Sequence, residues 1–298
     1  MPDRRMRLPV AIRLLPGLAA LCALVLSTSG CGASSATLDP VAQAAEATSH
    51  AGGAHMALSA QVSVPGLSAP LTMSGEGTFN YATREGSMSL DLSGLPSSAA
   101  GSLPSGAVRM NELFKSSALY VSSPLFAGKL PGGARWMKID LGRVGQAAGF
   151  NLEQLAGGQS NPAQLLEYLK GSGGRVTTVG PELIRGVPTT HFRGTVDLGK
   201  VADAMPSTDR SQLRKALAKL IAQTGLSSLP VDVWVDAHRL VRRIALVVSI
   251  HTAGQQAQLH MTIDLFGFGA TPSVSVPPAG EVYDATPTAL GALRTGGG

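Results

Sequence analysis

Apolar and polar residues alternate along three successive stretches of the chain, at residues 58–64, 71–79 and 87–92. A period of two places every second side chain on the same face of an extended strand, so each stretch predicts a half-buried strand. Residues that favour turns separate the three stretches. The pattern therefore predicts an antiparallel meander with one dry face and one wet face.

The same pattern predicts further strands in the middle of the chain. They are expected at residues 107–114, 118–122, 134–140, 174–179 and 187–197. The residues between 93 and 106 form an uncharged loop rich in glycine, serine, proline and alanine. This loop is interpreted either as a flap over the entrance of a binding site or as a low-complexity insertion.

The C-terminal third carries the strongest β pattern, with strands expected at residues 231–236, 240–252 and 257–266. Residues 244–263 include no charged side chain, and their length would suffice for a membrane helix. The Gly254-Gln255-Gln256 segment at their centre predicts a hairpin instead. After Pro277-Pro278 the domain is expected to end, and residues 285–298 are predicted to be a disordered tail.

Three segments carry the signals of helices. Asp39-Pro40 has the form of an N-cap followed by proline at the first helical position, and a short helix is expected from there to Thr48. Asn161-Pro162 predicts a second helix through Lys170 by the same reasoning. A third helix is predicted at residues 209–224, ending at Gly225.

The third helix is amphipathic. Its apolar stripe consists of Leu213, Ala216, Leu217, Leu220 and Ile221. Its basic side chains are Arg210, Arg214, Lys215 and Lys219. This basic face is interpreted as an ordinary solvated surface, with contact to anionic lipid headgroups as the alternative.

The first thirty residues have the pattern of a secretory leader. Four arginines, the last of them Arg13, precede an apolar run at residues 14–26. As a helix this run spans about 20 Å, which is too short for a hydrocarbon core of about 30 Å. A cleaved leader is therefore expected, and an uncleaved amphipathic anchor is the alternative.

A short motif follows the apolar run. The segment Ser27-Thr28-Ser29-Gly30-Cys31 resembles a bacterial lipobox, although Thr28 stands where the common pattern has leucine. This resemblance implies that the thiol of Cys31 is acylated and that cleavage makes Cys31 the first residue. It also implies a protein that is lipid-anchored in the cell membrane on the extracytoplasmic face. We therefore expect a leader at residues 1–30, a tether at 31–38 and one domain at 39–284.

Composition narrows the class of protein once the leader is set aside. Of 298 residues, 44% are hydrophobic and 14% are charged, which excludes an intrinsically disordered chain. The net charge of +5 falls to +2 when residues 1–30 are removed, so the sequence gives no basis for nucleic-acid binding. Cys22 lies in the leader, which leaves Cys31 without a partner for a disulfide.

The sequence contains no nucleophile elbow, phosphate loop or zinc-ligand spacing. His251 and His260 lie on adjoining arms of the predicted hairpin, and a metal pair is the less favoured interpretation of them. Asp232 and Asp236 are spaced for one face of a strand, and Asp236 is interpreted as the start of a turn. No cofactor, metal or catalytic residue is therefore predicted, and an enzyme is the least favoured class.

The two tryptophans, Trp136 and Trp234, are interpreted as packing residues of the sheet rather than as groups that stack on a ligand.

The order of short motifs resembles a known family. A meander is followed by Trp-Met-Lys-Ile-Asp at residues 136–140, by an Asn-Pro-led helix ending in Leu-Leu-Glu-Tyr-Leu at 165–169, and by Gly-Val-Pro-Thr-Thr-His-Phe at 186–192. A Val-Trp-Val-Asp hairpin at 233–236 and a last strand into Pro277-Pro278 complete the order. This order resembles the LolA-like lipoprotein carriers, particularly the actinobacterial LppX/LprA/LprF/LprG type.

The resemblance implies an α+β fold, in which a strongly bent antiparallel sheet forms a half-barrel and helices close its concave face around an apolar cavity for acyl chains. It carries over only Cys31 as a functional position. The function implied is a membrane-anchored, non-enzymatic lipoprotein that binds lipid or glycolipid in an apolar cavity at the cell envelope, with transfer of the bound lipid left open. The alternative is a regulatory, stress-sensing or structural envelope lipoprotein that binds a protein partner through the same fold.

Overall fold

The computed structural model describes residues 39–63, 65, 69–94, 108–126, 128–148, 176–201, 207–252 and 255–295. Residues 38–298 form one compact unit. The predicted leader, Cys31, the tether, the helix after Asn161-Pro162 and most of the loop at residues 93–106 lie outside the described residues.

The described residues are dominated by one sheet of twelve strands. The strands are β1 Gly53–Ser63, β2 Leu71–Asn80, β3 Glu85–Ser93, β4 Val108–Lys115, β5 Ala118–Ser122, β6 Trp136–Asp140, β7 Val176–Ile184, β8 Val187–Asp197, β9 Ser228–Asp236, β10 Val241–Thr252, β11 Gln255–Phe266 and β12 Val282–Asp284. Their order across the sheet is β12-β6-β5-β4-β3-β2-β1-β11-β10-β9-β8-β7. The sheet is open, because its two edges, β12 and β7, do not pair with each other.

Two meanders make up this sheet. Strands β1 to β6 form the first and β7 to β11 the second, and the two join where β1 pairs with β11. Each of these neighbouring pairs is antiparallel, and only the short edge strand β12 lies parallel to its neighbour β6. The predicted antiparallel sheet with a few helices is thus confirmed, and the predicted strands at 118–122 and 187–197 have the bounds that were expected.

Five α-helices accompany the sheet in the described part of the chain. They are α1 Asp39–Ser49, α2 Leu141–Ala148, α3 Leu198–Val201, α4 Ser207–Thr224 and α5 Thr286–Thr295. Helices α1 and α4 confirm two of the predicted helices. Helix α2 was not predicted from the sequence.

The predicted disordered tail is wrong over the helix α5. Oδ1 of Asp284 accepts a hydrogen bond of 2.9 Å from the backbone N–H of Thr286 and so holds the chain at the start of the helix. The hydroxyl of Thr286 is fully buried and accepts a hydrogen bond of 2.9 Å from the backbone N–H of Asp140 in β6. The tail is therefore ordered because its first turn is bound to the edge of the sheet, with Pro287 at the start of the helix.

Strand register assigns every side chain to one of two faces. On the inner face, apolar residues of neighbouring strands lie opposite one another, as in the row Val233, Ile244, Ile263 and Leu58. These residues belong to the main hydrophobic core or pack against it. The outer face carries the polar and charged partners in the alternation, so the predicted division into a dry face and a wet face is confirmed.

Helix α1 covers the inner face over β9 and β10. Val41, Ala44 and Ala45 are almost completely buried and join the same core as the inner-face valines of β9. The hydroxyl of Thr48 donates to the carbonyl of Ala44 at 2.7 Å and accepts from the backbone N–H of Val241 at 2.9 Å. One helix end is thus fastened to the start of β10, and this part of the inner face is filled by the chain itself.

Two glycines of β2 allow the sheet to bend toward its inner face. Gly75 and Gly77 occupy inner-face positions between β1 and β3. A Cβ atom at Gly75 would collide with the carbonyl oxygen of Ser89 and would lie 2.7 Å from Cδ2 of Leu90. A Cβ atom at Gly77 would collide with the carbonyl oxygen of Ser87. Because β3 approaches the inner face of β2 so closely, we infer that the sheet bends here toward its apolar face, which then becomes concave.

We expect Gly75→Ala to destabilise the fold by about 1–3 kcal/mol, because the added methyl group forces β2 and β3 apart. Equilibrium unfolding in urea, monitored by circular dichroism, measures the change in the full chain carrying Cys31→Ser. Gly280→Ala is the matched control, because a Cβ atom at Gly280 meets no atom within 4 Å. Equal midpoints for the two variants would show that the close approach of β3 does not constrain the sheet.

Candidate functional site

Methionine is concentrated on the inner face of the sheet. Six of the nine methionines of the chain occupy inner-face positions in the strand register: Met56, Met73, Met88, Met110, Met137 and Met261. Met56 is buried, and the other five are half-buried. Methionine is flexible and polarizable, so a surface rich in it adapts to apolar partners of different shape. The inner face therefore has the chemistry of an adaptable apolar binding surface.

The degree of burial changes across this face. Under α1, the inner-face residues Val231, Val233 and Ile244 are each at most 2% exposed. On β1 to β4 the inner face is mixed: Leu92 is half-buried, whereas Leu90, two residues earlier on the same face of β3, is buried. The inner face is thus filled at β9 and β10 and keeps accessible apolar surface at some positions of the first meander.

One carboxylate interrupts the apolar pattern of the inner face. Along β4, Val108, Met110 and Phe114 point inward, and Glu112 occupies the inward position between the last two. Its direct neighbours across the sheet are Met88 on β3 and Val121 on β5. Among the described inner-face positions of β1 to β6 and β8 to β11, Glu112 is the only charged residue.

Burial raises the pKa of the Glu112 carboxyl above its ordinary value, because the apolar surroundings disfavour the charged form. Within the described residues, no side chain or backbone group donates a hydrogen bond to it. Its contrast is Asp91, one strand away on the outer face, whose pKa is lowered by the hydrogen bonds that it accepts from Arg109. Glu112 is thus a polar group on an apolar surface, and its two carboxyl oxygens accept no hydrogen bond from the described residues.

The inward position of Glu112 could have been predicted from the alternation of inward and outward residues along β4. In Val-Arg-Met-Asn-Glu-Leu-Phe-Lys, residues 108–115, the inward positions read valine, methionine, glutamate and phenylalanine. A charged residue at a position where the alternation expects an apolar one would have identified Glu112. It was not predicted because it belongs to no catalytic or metal-binding motif.

A second group of polar residues lies on the outer face of β7 to β9. Oδ1 of Asp232 accepts a hydrogen bond of 2.7 Å from Nε of Arg193 and lies 2.7 Å from Nε2 of His191. The imidazole of His191 stacks on the indole of Trp234, with the ring centroids 4.2 Å apart. Nε1 of Trp234 donates to Oε2 of Glu182 at 2.6 Å. These contacts join three strands side by side, and the predicted packing role of Trp234 agrees with them.

The outer-face contacts continue onto β10 and β11. Arg243 donates two hydrogen bonds to Asp264, of 2.6 and 2.9 Å, in a bidentate pair. The guanidinium of Arg185 lies over the ring of Phe266, 4.0 Å from its centroid. All of these residues lie on the outer face. The network therefore stabilises the sheet without involving the side chains of the inner face.

The structure brings together only some of the residues that the sequence singled out. His251 pairs with Gln256 and His260 pairs with Val247, so the two histidines are four positions apart along the hairpin, about 14 Å at 3.4 Å per residue. They therefore do not form a metal pair. Asp236 accepts hydrogen bonds from the backbone N–H groups of His238 and Leu240, which agrees with the turn expected there.

The basic face of α4 is exposed at Arg214, Lys215 and Lys219, whereas Leu217 and Ile221 of the predicted stripe are half-buried. Trp136 is half-buried at the start of β6. In the described part of the chain, no group of three or more histidine, cysteine, aspartate or glutamate side chains could hold a metal ion. None of the helices described there is both long and apolar enough to span a membrane.

Known proteins resemble this chain to a limited extent. No protein-family model matches it. An uncharacterized 31.2 kDa protein of Streptomyces griseus, from the rplA-rplJ intergenic region, is 35% identical over 113 residues, which are 37% of this chain and 36% of that protein. The chain thus spans about a third of the length of that relative.

Two solved structures are similar to the chain over most of their own length. LprF from Mycobacterium bovis has 14% sequence identity and a TM-score of 0.43, covering 81% of this chain and 97% of that one. The lipoprotein LppX from Mycobacterium tuberculosis also has 14% identity, with a TM-score of 0.42, covering 80% of this chain and 97% of that one.

The half-buried Glu112 makes stability depend on pH in a direction that can be measured. Because burial raises its pKa, the unfolded chain releases this proton more readily than the folded one, and the stability contributed by Glu112 is lost as the pH rises through the folded pKa. We expect Glu112→Gln to raise the Tm at pH 8 relative to the unsubstituted protein. The difference should shrink as the pH falls through the folded pKa and vanish below the ordinary glutamate value of 4.5, where the carboxyl group is protonated in both states.

Differential scanning calorimetry from pH 4 to pH 8 provides the measurement. Glu76→Gln, on the outer face of β2, removes an equal charge from an exposed site and should leave the Tm nearly unchanged. A Tm difference for Glu112→Gln that stays constant across this range would contradict the assignment of Glu112 to a desolvated position.

Proposed function

We propose that this chain is a LolA-like, membrane-anchored lipoprotein that holds lipid or glycolipid against the concave face of its sheet. The observation that supports this most directly is the methionine-rich inner face, which stays half-buried at Met73, Met88 and Met110. The order of motifs from Trp136 to Pro278, which resembles the LolA-like carriers, supports the same function.

Burial of acyl chains would drive binding. Each methylene group moved from water to an apolar surface contributes about 0.8 kcal/mol, so a chain of about fifteen methylene groups has a gross gain of about 12 kcal/mol before ordering costs. Chain length then sets the affinity, and contacts to the polar end of the ligand set its selectivity. The inner face supplies apolar area on several adjacent strands, which suits a long, flexible acyl chain.

Anchoring would keep the binding domain near its source of lipid. The leader at residues 1–30 and the lipobox-like segment ending at Cys31 support export and acylation of that cysteine. The bound lipid would be carried or transferred between the membrane and the envelope. The role we propose is carriage rather than catalysis, because the described part of the inner face presents apolar side chains and one carboxyl group to its ligand.

Lipid carriage is tested by native purification of the full chain carrying Cys31→Ser, followed by mass spectrometry of the co-purified lipids. We expect lipid in about equimolar amount in this protein and a loss of about tenfold or more in Met73→Asp, because that change places a charge on the inner face. Ser74→Asp is the matched control, since Ser74 is the next residue of β2 and faces outward. Protein that never carries lipid, or equal lipid in both variants, would contradict the proposal.

Acylation is tested by fractionating cells that produce the protein with its leader. We expect Cys31→Ser to move the protein from the membrane fraction to the soluble envelope fraction, because one acylated residue is the proposed anchor. Cys22→Ser changes the other cysteine, within the apolar run of the leader, and should leave the protein in the membrane fraction. Retention of Cys31→Ser in the membrane would favour the uncleaved anchor instead.

A protein-binding role is the second candidate, and the edge strand β7 favours it. Val179 is 53% exposed and Leu183 is 66% exposed on this strand, which is unusual for large apolar side chains. An exposed edge can pair with a strand of a partner protein. This candidate predicts that Leu183→Lys removes a partner cross-linked in cells, that Met73→Asp does not, and that no lipid co-purifies.

A further inference from the structure

We infer that Glu112 selects the class of lipid bound by the concave face: the preferred ligand has a polar end that donates hydrogen bonds and carries no negative charge. This inference rests on the proposed lipid-binding function and adds the chemistry of the headgroup to it. Hydroxyl-bearing neutral lipids fit the description, whereas lipids with a phosphate or carboxylate group close to the acyl chain do not.

The placement of Glu112 is the first step. Met88 and Val121 flank its side chain across the sheet, and Met110 and Phe114 flank it along β4. A ligand acyl chain lying on this apolar surface brings its polar end within reach of the only charged group that the described inner face offers. The carboxyl group of Glu112 is therefore the natural polar contact for such a ligand.

The surrounding charges are the second step. The basic residues of β4, Arg109 and Lys115, belong to the outward-facing set in the alternation. Arg109 is engaged by Asp91, and Nζ of Lys115 donates to the carbonyl of Val274 at 2.7 Å. Within the described residues, no cation faces Glu112 from β3, β5 or β6, so nothing there neutralises an anion bound next to it.

Electrostatics then discriminates between headgroups. Two negative charges within a few ångströms repel each other strongly when both are partly removed from water. A hydroxyl group instead donates a hydrogen bond to the carboxylate, which is stronger than a hydrogen bond between neutral groups. The pKa of Glu112, raised by burial, is consistent with a carboxyl group that lacks such a donor in the unliganded protein.

The ligands for the test are monolauroylglycerol and lauroyl lysophosphatidic acid. They share the acyl chain and the glycerol and differ by one phosphate, so the comparison isolates the charge. Binding to the full chain carrying Cys31→Ser is measured by isothermal titration calorimetry at pH 8, below the critical micelle concentration of each lipid. We expect monolauroylglycerol to bind about tenfold more tightly or better.

Glu112→Gln keeps the shape of the side chain and its ability to accept a hydrogen bond, and it removes the charge. We expect it to reduce the discrimination between the two lipids to about threefold or less, chiefly by improving the affinity for the phosphate-bearing lipid. Glu76→Gln removes an equal charge on the outer face and should leave the discrimination unchanged. Circular dichroism of each variant establishes that the fold is retained.

The outcomes separate this inference from the proposed function. If the unsubstituted protein binds both lipids equally, or if Glu112→Gln and Glu76→Gln change the discrimination to the same extent, the selector role of Glu112 is wrong while lipid binding stands. If neither lipid binds and native purification also yields no lipid, the proposed function itself fails. A preference for monolauroylglycerol that depends on Glu112 alone supports the inference.

Discussion

The close approach of β3 to the inner face of β2 is the constraint on which the packing of the first meander depends. It requires that no side chain project at Gly75 and Gly77, since a Cβ atom at either position would collide with a carbonyl oxygen of the next strand. We infer from this approach that the sheet bends toward its apolar face, which then becomes concave. A flat sheet of this width would expose that face to water, whereas a bent one gathers its apolar side chains together, as the proposed binding of acyl chains requires.

The two faces of the sheet are stabilised by different interactions. On the outer face, Asp232 joins His191 and Arg193, and Arg243 binds Asp264, so adjacent strands are held together by charge-assisted contacts. On the inner face, α1 supplies the apolar cover over β9 and β10. These contacts stabilise the second meander, and the surface that we propose for ligand binding is the half-buried part of the inner face of the first meander.

Most of the sheet could be predicted from the sequence, because a period of two reports both the strand and its buried face. Residues 118–122 and 187–197 show how well local alternation defines a strand. The outer-face network could not be predicted, since the contact of His191 with Asp232 depends on the register between β8 and β9. The order of α5 was missed for the same reason: its cap lies in Asp284, but its anchor is the backbone of Asp140.

Glu112 could be predicted only in part. The alternation along β4 places it on the inner face, but only the structure shows which residues surround its carboxyl group. A glutamate at an inward position of β4 is unfavourable for the fold alone, since its neighbours Met88 and Val121 offer neither a hydrogen bond nor a counter-charge. The same isolation makes the carboxyl group sensitive to whatever enters the concave face. A surface made only of methionine, leucine and valine distinguishes acyl chains by length and shape, and a single desolvated carboxyl group adds discrimination by charge.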